Sequence, residues 1–285
     1  MKKAAKLMAL VLATGCVMGM AACDGGSDLA LGKEMITQDS QLDALTQLKN
    51  GAVDAVVIDS VMAGYYSTTG DFAGQVAIVE NLVLAEESYG IAAKKGNQAF
   101  MSEINKALLA LQADGTMTEV ATEFGLQNDI AVKADTVNPY ANATDNSWEA
   151  IKTDGTIVIG YTVFAPIAYT EAGEFTGYDI ELAREVVAYL NETYTLELEV
   201  DFQEIDWNSK EALLENGTID LVWNGMTITE ERSEEMCVSV PYLYNKQVAV
   251  VAKADVAKYT TKDSFKDAVI GVESGSAGES VVKGE

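Results

Sequence analysis

Four places along the chain carry groups suited to holding a small charged molecule. Thr229-Glu-Glu-Arg232 reads as a helix start: Thr229 is a natural N-cap, two glutamates fill the first turn, and Arg232 falls at the third helical position. A helix N-terminus favours anions, so an arginine there is locally unfavourable. Guanidinium and N–H groups together make a strong site for a carboxylate. The same spacing lets Arg232 point to solvent, or pair with Glu234 or Glu235. Asp59 closes the run Ala55-Val-Val-Ile-Asp59, at the carboxyl end of a strand, where open α/β sheets bind ligands. It is equally placed to cap the helix that follows. Ser274 to Gly278 ends another strand and offers either N–H donors at a helix start or a plain capped turn. Phe164 and Trp207 suit a core as well as a ligand. A fixed carboxylate, a fixed guanidinium, N–H donors and two aromatics describe a zwitterion site, with a carboxylate on Arg232 and an ammonium on Asp59. No nucleophile paired with a base accompanies them.

Composition narrows the chemistry further. The 285 residues contain no histidine, which removes Ser-His-Asp and Cys-His nucleophiles, histidine bases and His-ligated zinc. Cys16, Cys23 and Cys237 form no C-x-x-C pair, and no phosphate-cradling glycine motif occurs. With 19 basic against 44 acidic residues, a net charge of −25 repels nucleic acid. A binding protein, or an enzyme working with carboxylates alone, remains; neither metal nor cofactor is expected. At 48% hydrophobic residues the chain has enough apolar material for one large or two modest domains.

The elements that must position these groups follow from periodicity. Lys2, Lys3 and Lys6, then the uncharged apolar stretch Leu7–Met20, read residues 1–22 as a secretory signal peptide. Its removal takes three lysines and no acid from a net charge of −25, leaving −28. Leu48-Lys-Asn-Gly-Ala-Val-Asp-Ala-Val-Val-Ile-Asp59 and Leu214-Glu-Asn-Gly-Thr-Ile-Asp-Leu-Val-Trp-Asn224 repeat one pattern: helix end, Asn-Gly stop, buried strand, polar residue. Strands are expected at 156–160, 196–205 and 269–272, and helices at 97–111, 178–190 and 209–215. Alternation of this kind implies mostly parallel sheets. Residues 133–147, with Pro139 and three asparagines, read as a surface linker.

Several motifs together carry a family resemblance. Trp223-Asn-Gly-Met-Thr-Ile-Thr-Glu-Glu-Arg232, Gly177-Tyr-Asp-Ile-Glu-Leu-Ala183, Ser239-Val-Pro-Tyr242, Gly271-Val-Glu-Ser-Gly275, Val53–Asp59 and Tyr89–Gly96 resemble the extracytoplasmic amino-acid-binding proteins of ABC importers, polar amino-acid class. The resemblance implies a two-lobed α/β fold of the type II periplasmic-binding-protein kind, with two mixed, mostly parallel sheets joined by a two-strand hinge. It implies that Arg232 binds the ligand carboxylate and Asp59 its ammonium, and that Gly225 and Thr227 hold its backbone end. Phe164 and Trp207 would flank its side chain, and Ser276 and Ala277 would form the contact loop of the other lobe. Tyr161 stands where many members have Asp, and Glu273 where the glutamine type has Lys. Both would line the side-chain end, and Glu273 favours a polar or cationic ligand.

The order of the segments departs from the family: material like 148–285 ordinarily comes first and material like 33–130 second. This resembles a circular permutation in which 133–147 joins the old termini and Leu29–Met35 continues the helix that starts near Gly278. One lobe would then be contiguous, 95–251, and the other split between 29–92 and 253–285, with crossings near 92–95 and 251–253. Met20-Ala-Ala-Cys23 resembles a lipobox, so Cys23 would carry lipid, 23–28 would be a tether, and the protein would sit on the outer face of the cytoplasmic membrane. The expected activity is that of a monomeric receptor delivering an amino acid to an ABC permease. The alternatives are a lyase or dehydratase on the same fold, or a fusion of two half-genes that binds nothing.

Overall fold

The computed structural model describes residues 29–285; the signal peptide, Cys23 and the tether expected before them lie outside the described residues. The first third of the chain gives β1 (Glu34–Gln38), α1 (Gln41–Lys49), β2 (Ala55–Asp59), α2 (Ser60–Thr68), β3 (Val76–Lys94), α3 (Gln98–Asp114) and α4 (Thr116–Glu123). Then come α5 (Ser147–Asp154), β4 (Thr156–Tyr161), β5 (Tyr169–Glu171), β6 (Glu174–Thr176), α6 (Tyr178–Tyr194), β7 (Glu199–Glu204) and α7 (Lys210–Asn216). The last part holds β8 (Leu221–Thr227), α8 (Glu230–Glu235), β9 (Met236–Val238), β10 (Leu243–Ala252), β11 (Val269–Glu273) and α9 (Ala277–Lys283).

Among the described residues these strands build a mixed nine-stranded sheet in the order β1-β11-β2-β10-β3-β8-β4-β7, with β9 also on β3; β5 and β6 form a small hairpin. Pairing is parallel at both flanks, β1–β11–β2 and β8–β4–β7, and antiparallel through the centre, where β10 and β3 lie. The two expected sheets are therefore halves of one continuous ladder, joined by the antiparallel pair β10–β3. In β3, Val76–Tyr89 pairs with β10, whereas Tyr89–Lys94 pairs with β8 and β9. Its burial changes midway to suit, without the alternation that would have marked it in the sequence.

The repeated pattern folds as expected. The α1 and α7 helices both run into Asn-Gly; Gly51 has φ +73° and Gly217 has φ +76°, the left-handed conformation that ends a helix and that glycine adopts without strain. Every residue of β2 and of β8 is buried. In α3 the stripe Phe100, Ile104, Leu108 and Leu111 is buried, as its helical spacing requires.

Two local features differ from expectation. The α9 helix stops at Lys283 because Gly284 turns left-handed, and Leu29–Met35 is a bend at 30–33 followed by the start of β1 rather than further helix. The Ala30 N–H donates to the carbonyl of Val282 at 2.9 Å, so these segments are neighbours all the same. Residues 133–147 are tied to α3. Asn138 donates to the Ser102 hydroxyl and carbonyl at 3.1 Å, the Asp145 carboxylate accepts the Ala99 N–H at 2.8 Å, and Ser147 Oγ accepts that of Phe100 at 2.9 Å. The segment thus satisfies N–H groups that the first turn of α3 leaves unpaired. No helix among the described residues is long and apolar enough to cross a membrane.

Candidate functional site

The carboxyl ends of β2, β8 and β11 and the segment after β4 open onto one cavity of about 390 Å³, counted to its open mouth. Of the residues singled out in the sequence, Asp59, Phe164, Trp207, Gly225, Thr227, Arg232, Glu273, Ser276 and Ala277 all line it. Tyr161 does not. At the end of β4 its ring packs on Phe175 at 4.5 Å between centroids, and the next residues, Thr162 and Val163, reach the wall.

Arg232 sits where the spacing placed it. Thr229 Oγ1 accepts its backbone N–H at 3.1 Å, leaving only the guanidinium to act. Nη1 donates to the Thr227 carbonyl at 2.8 Å and Nη2 to the Gly275 carbonyl at 3.1 Å. No ion pair joins it to any described carboxylate, so the pairing with Glu234 or Glu235 is not made. Burial disfavours its charged form. A half-buried guanidinium without an ion pair is a strong donor site for an anion. The Trp207 ring lies between two cations, Lys210 Nζ at 4.7 Å and the Arg232 guanidinium at 5.9 Å from its centroid. Trp207 Nε1 donates to the same Gly275 carbonyl at 3.3 Å, so β8, α8 and the segment after β7 meet the β11–α9 turn directly.

Asp59 occupies the N-cap position of α2 but its side chain makes no capping bond. Instead Oδ1 accepts from Tyr89 Oη at 2.7 Å, from Gln247 Nε2 at 3.1 Å and from Asn245 Nδ2, and Oδ2 accepts from Gln41 Nε2. Gln41 Oε1 also accepts the Asp59 backbone N–H at 3.0 Å, which locks the residue from both ends. These donors hold a negative charge at 5% exposure, a cost that only such bonding offsets. Oδ2, with one protein donor, is the oxygen with capacity for a ligand ammonium.

Glu273 is buried at 6% exposure and makes no ion pair with a described lysine. Burial first, then the nearby Asp59 charge, push its carboxyl up to about 8, against the opposing pull of Gln41, Lys210 and Arg232. Asn224 also lines the cavity; its Nδ2 donates to Thr162 Oγ1 at 2.6 Å while its buried Oδ1 has no described partner. An unsatisfied buried acceptor costs about 1–3 kcal/mol, which a ligand N–H would relieve.

Gly225 contributes space. Its φ is +59°, and a Cβ there would lie 2.7 Å from Phe164 Cε1. Its N–H points away from the cavity, to Asp179 Oδ2 at 2.7 Å and Tyr242 Oη at 3.3 Å. The motifs around Asp179 and Tyr242 therefore act from behind: Tyr242 donates to Asp179 at 2.7 Å, and both fix the floor. Ser276 caps α9, accepting the Glu279 N–H at 3.2 Å, and presents its edge to the cavity beside Ala277. Gln41, Asn245 and Gln247 belonged to no motif, and only the fold brings them to Asp59.

The buried carboxyls fix a pH dependence. Burial raises Asp179 to about 7, and burial together with Asp59 raises Glu87 and Glu273 to about 8. The folded state keeps protons that the unfolded chain releases near pH 4. The stability this contributes is complete below that range and is lost as pH rises through 7–8. The melting temperature of the ligand-free protein is therefore expected to fall between pH 6 and pH 9. In Asp179→Asn, whose amide oxygen still accepts from Tyr242 and Gly225, differential scanning calorimetry should show a shallower fall.

Residues 156–272 match the family described as bacterial extracellular solute-binding proteins, family 3. The probable ABC transporter extracellular-binding protein YckB of Bacillus subtilis is 30% identical over 131 residues, 44% of each chain. The arginine-binding extracellular protein ArtP of the same organism is 32% identical over 116 residues, 41% of this chain and 42% of its own. A solved structure, a polar amino acid ABC uptake transporter substrate-binding protein from Streptococcus thermophilus, is 37% identical across 34% of this chain and 35% of that one, with a TM-score of 0.27. The chain spans less than half the length of these curated relatives. By these names YckB is a binding protein of an ABC transporter, ArtP binds arginine, and the solved structure is the substrate-binding protein of a polar amino acid uptake transporter.

Proposed function

We propose that the chain is an extracytoplasmic, lipid-anchored receptor that takes up a free amino acid with a polar or cationic side chain and delivers it, as a monomer, to an ABC permease. The observation that carries this reading is one cavity walled by an unpaired guanidinium, Arg232, and a firmly held carboxylate, Asp59. Their charges suit the two ends of a zwitterion. Glu273 adds a third acidic group, which a second cation on the ligand would satisfy. Lipid attachment at Cys23 rests on the sequence Met20-Ala-Ala-Cys23 alone.

In this reading residues 29–92 with 253–285 form one lobe, 95–251 form the other, and β3 and β10 run between them. The bond between Ala30 and Val282, and a family match confined to 156–272, both suit a circularly permuted order. Thermal-shift measurement against the twenty standard amino acids and cystine tests the function. A ligand present at 100 times its Kd adds about 2.7 kcal/mol to folding stability. At least one compound with a polar or cationic side chain should raise the midpoint; a flat response to all of them would refute the receptor.

A further inference from the structure

Behind Asp59, on the hinge-like strand pair, lies a second carboxylate. Glu87 of β3 shares both of the carboxamide donors that hold Asp59: Gln247 Nε2 lies 2.8 Å from Glu87 Oε1 and 3.1 Å from Asp59 Oδ1, and Asn245 Nδ2 contacts the same two oxygens. Two acceptors bonded to the same two nitrogens are close neighbours. Like charges at such separation cannot both persist cheaply away from water. We propose that the Asp59–Glu87 pair holds one proton in the empty cleft and releases it when a ligand ammonium docks on Asp59, which makes Glu87 a positioning residue that ties ligand affinity to pH.

The proton leaves the Glu87 carboxyl for solvent, and the ligand ammonium keeps all three of its own. Other charged groups border the same groove: Glu231, Arg232 and Glu235 of α8, Lys210 and Glu211 of α7, Glu279 and Lys283 of α9, Glu285 after it and Glu86 on β3, while Asp59 of β2 meets Glu87 through the shared carboxamides. Asp59, which shares its hydrogen-bond donors, is the dominant charge; burial and that charge push Glu87 up to about 8. An ammonium on Asp59 offsets the charge and favours ionised Glu87. The ligand carboxylate acts in the opposite sense, but it sits on the Arg232 guanidinium, which neutralises it and makes no hydrogen bond to Glu87. Ionisation that accompanies binding makes affinity rise with pH. A drop of one pH unit in the ionisation of Glu87 on binding gives about fivefold tighter association at pH 8 than at pH 6.

The inference rests on the amino-acid receptor reading, and one experiment separates the two. The probe is an equimolar mixture of the twenty standard L-amino acids, its apparent affinity read from the concentration dependence of the thermal shift at pH 6 and pH 8. The wild type should bind about fivefold more tightly at pH 8. Glu87→Gln, which keeps the size and both amide contacts, should bind as the wild type does at pH 6 and gain little at pH 8. Glu231→Gln, which removes a carboxylate of the same groove outside the cavity wall, should keep the gain. No shift at either pH would refute the receptor. Equal wild-type affinity at both pH values, or a gain that Glu87→Gln keeps in full, would refute the role of Glu87 and leave the receptor standing.

Discussion

Replacing Arg232 by alanine should weaken amino-acid binding by about 2–5 kcal/mol, roughly thirty- to several-thousand-fold in Kd. The guanidinium is the desolvated cation of the cavity wall that makes no ion pair with a described carboxylate. Without it a ligand carboxylate enters a site whose remaining groups are carboxyls, Asp59 and Glu273 in the wall and Glu87 behind it. The variant also loses two donations, to Thr227 and to Gly275, so the β11–α9 turn keeps only the Trp207 indole on the same carbonyl. Folding should survive, because the guanidinium is joined to carbonyls near a surface rather than to a core. Calorimetric titration should therefore show a folded protein without measurable binding at ligand concentrations that saturate the wild type.

The largest effect on stability is expected at Gly177. Its φ of +132° with ψ of 162° belongs to a region that only glycine occupies readily, and a Cβ would lie 2.2 Å from the Ile167 carbonyl oxygen. Backbone strain and overlap together should cost Gly177→Ala about 2–5 kcal/mol. For a chain of this size that is a fall of about 5–15 °C in the melting temperature. The consequence reaches the site. Gly177 starts α6, Asp179 follows two residues later, and Asp179 holds the Gly225 N–H that shapes the cavity floor. A scanning calorimeter would register the destabilisation, and a midpoint within 2 °C of wild type, on the order of 1 kcal/mol or less, would show that the N-terminus of α6 can move aside.

The parts of this fold that were legible in the sequence are those whose signals are local. The Asn-Gly stops after α1 and α7, the fully buried β2 and β8, and the stripe along α3 each follow from a periodicity or a backbone demand within a dozen residues. Thr229 capping Arg232 was equally plain, because a cap and its partner lie three apart. The long strand β3 was not legible: half of it serves one side of the sheet and half the other, so its burial has no single period. The donors around Asp59 were hidden for a related reason. Gln41, Tyr89, Asn245 and Gln247 converge from α1, β3 and β10 across separations of 18 to 188 residues, and only topology joins them. Tyr161 shows the converse error. The resemblance put it at the side-chain end of the pocket, while the aromatic surface of Phe175 offered its ring a nearer partner.

The central claim, that Arg232 and Asp59 grip the two ends of one free amino acid, is tested most directly by truncating the ligand. The amino acid giving the largest thermal shift would be titrated calorimetrically beside its carboxamide, which lacks the carboxylate, and its des-amino acid, which lacks the ammonium. Each loss leaves a charge of the cavity wall without its ligand partner, the half-buried Arg232 in the first case and the buried Asp59 in the second, at about 2–5 kcal/mol. Both analogues should bind at least about thirtyfold more weakly than the parent. An analogue that matches the parent in affinity would mean that the corresponding end of the ligand is not held by that residue, and the site would have to be drawn differently.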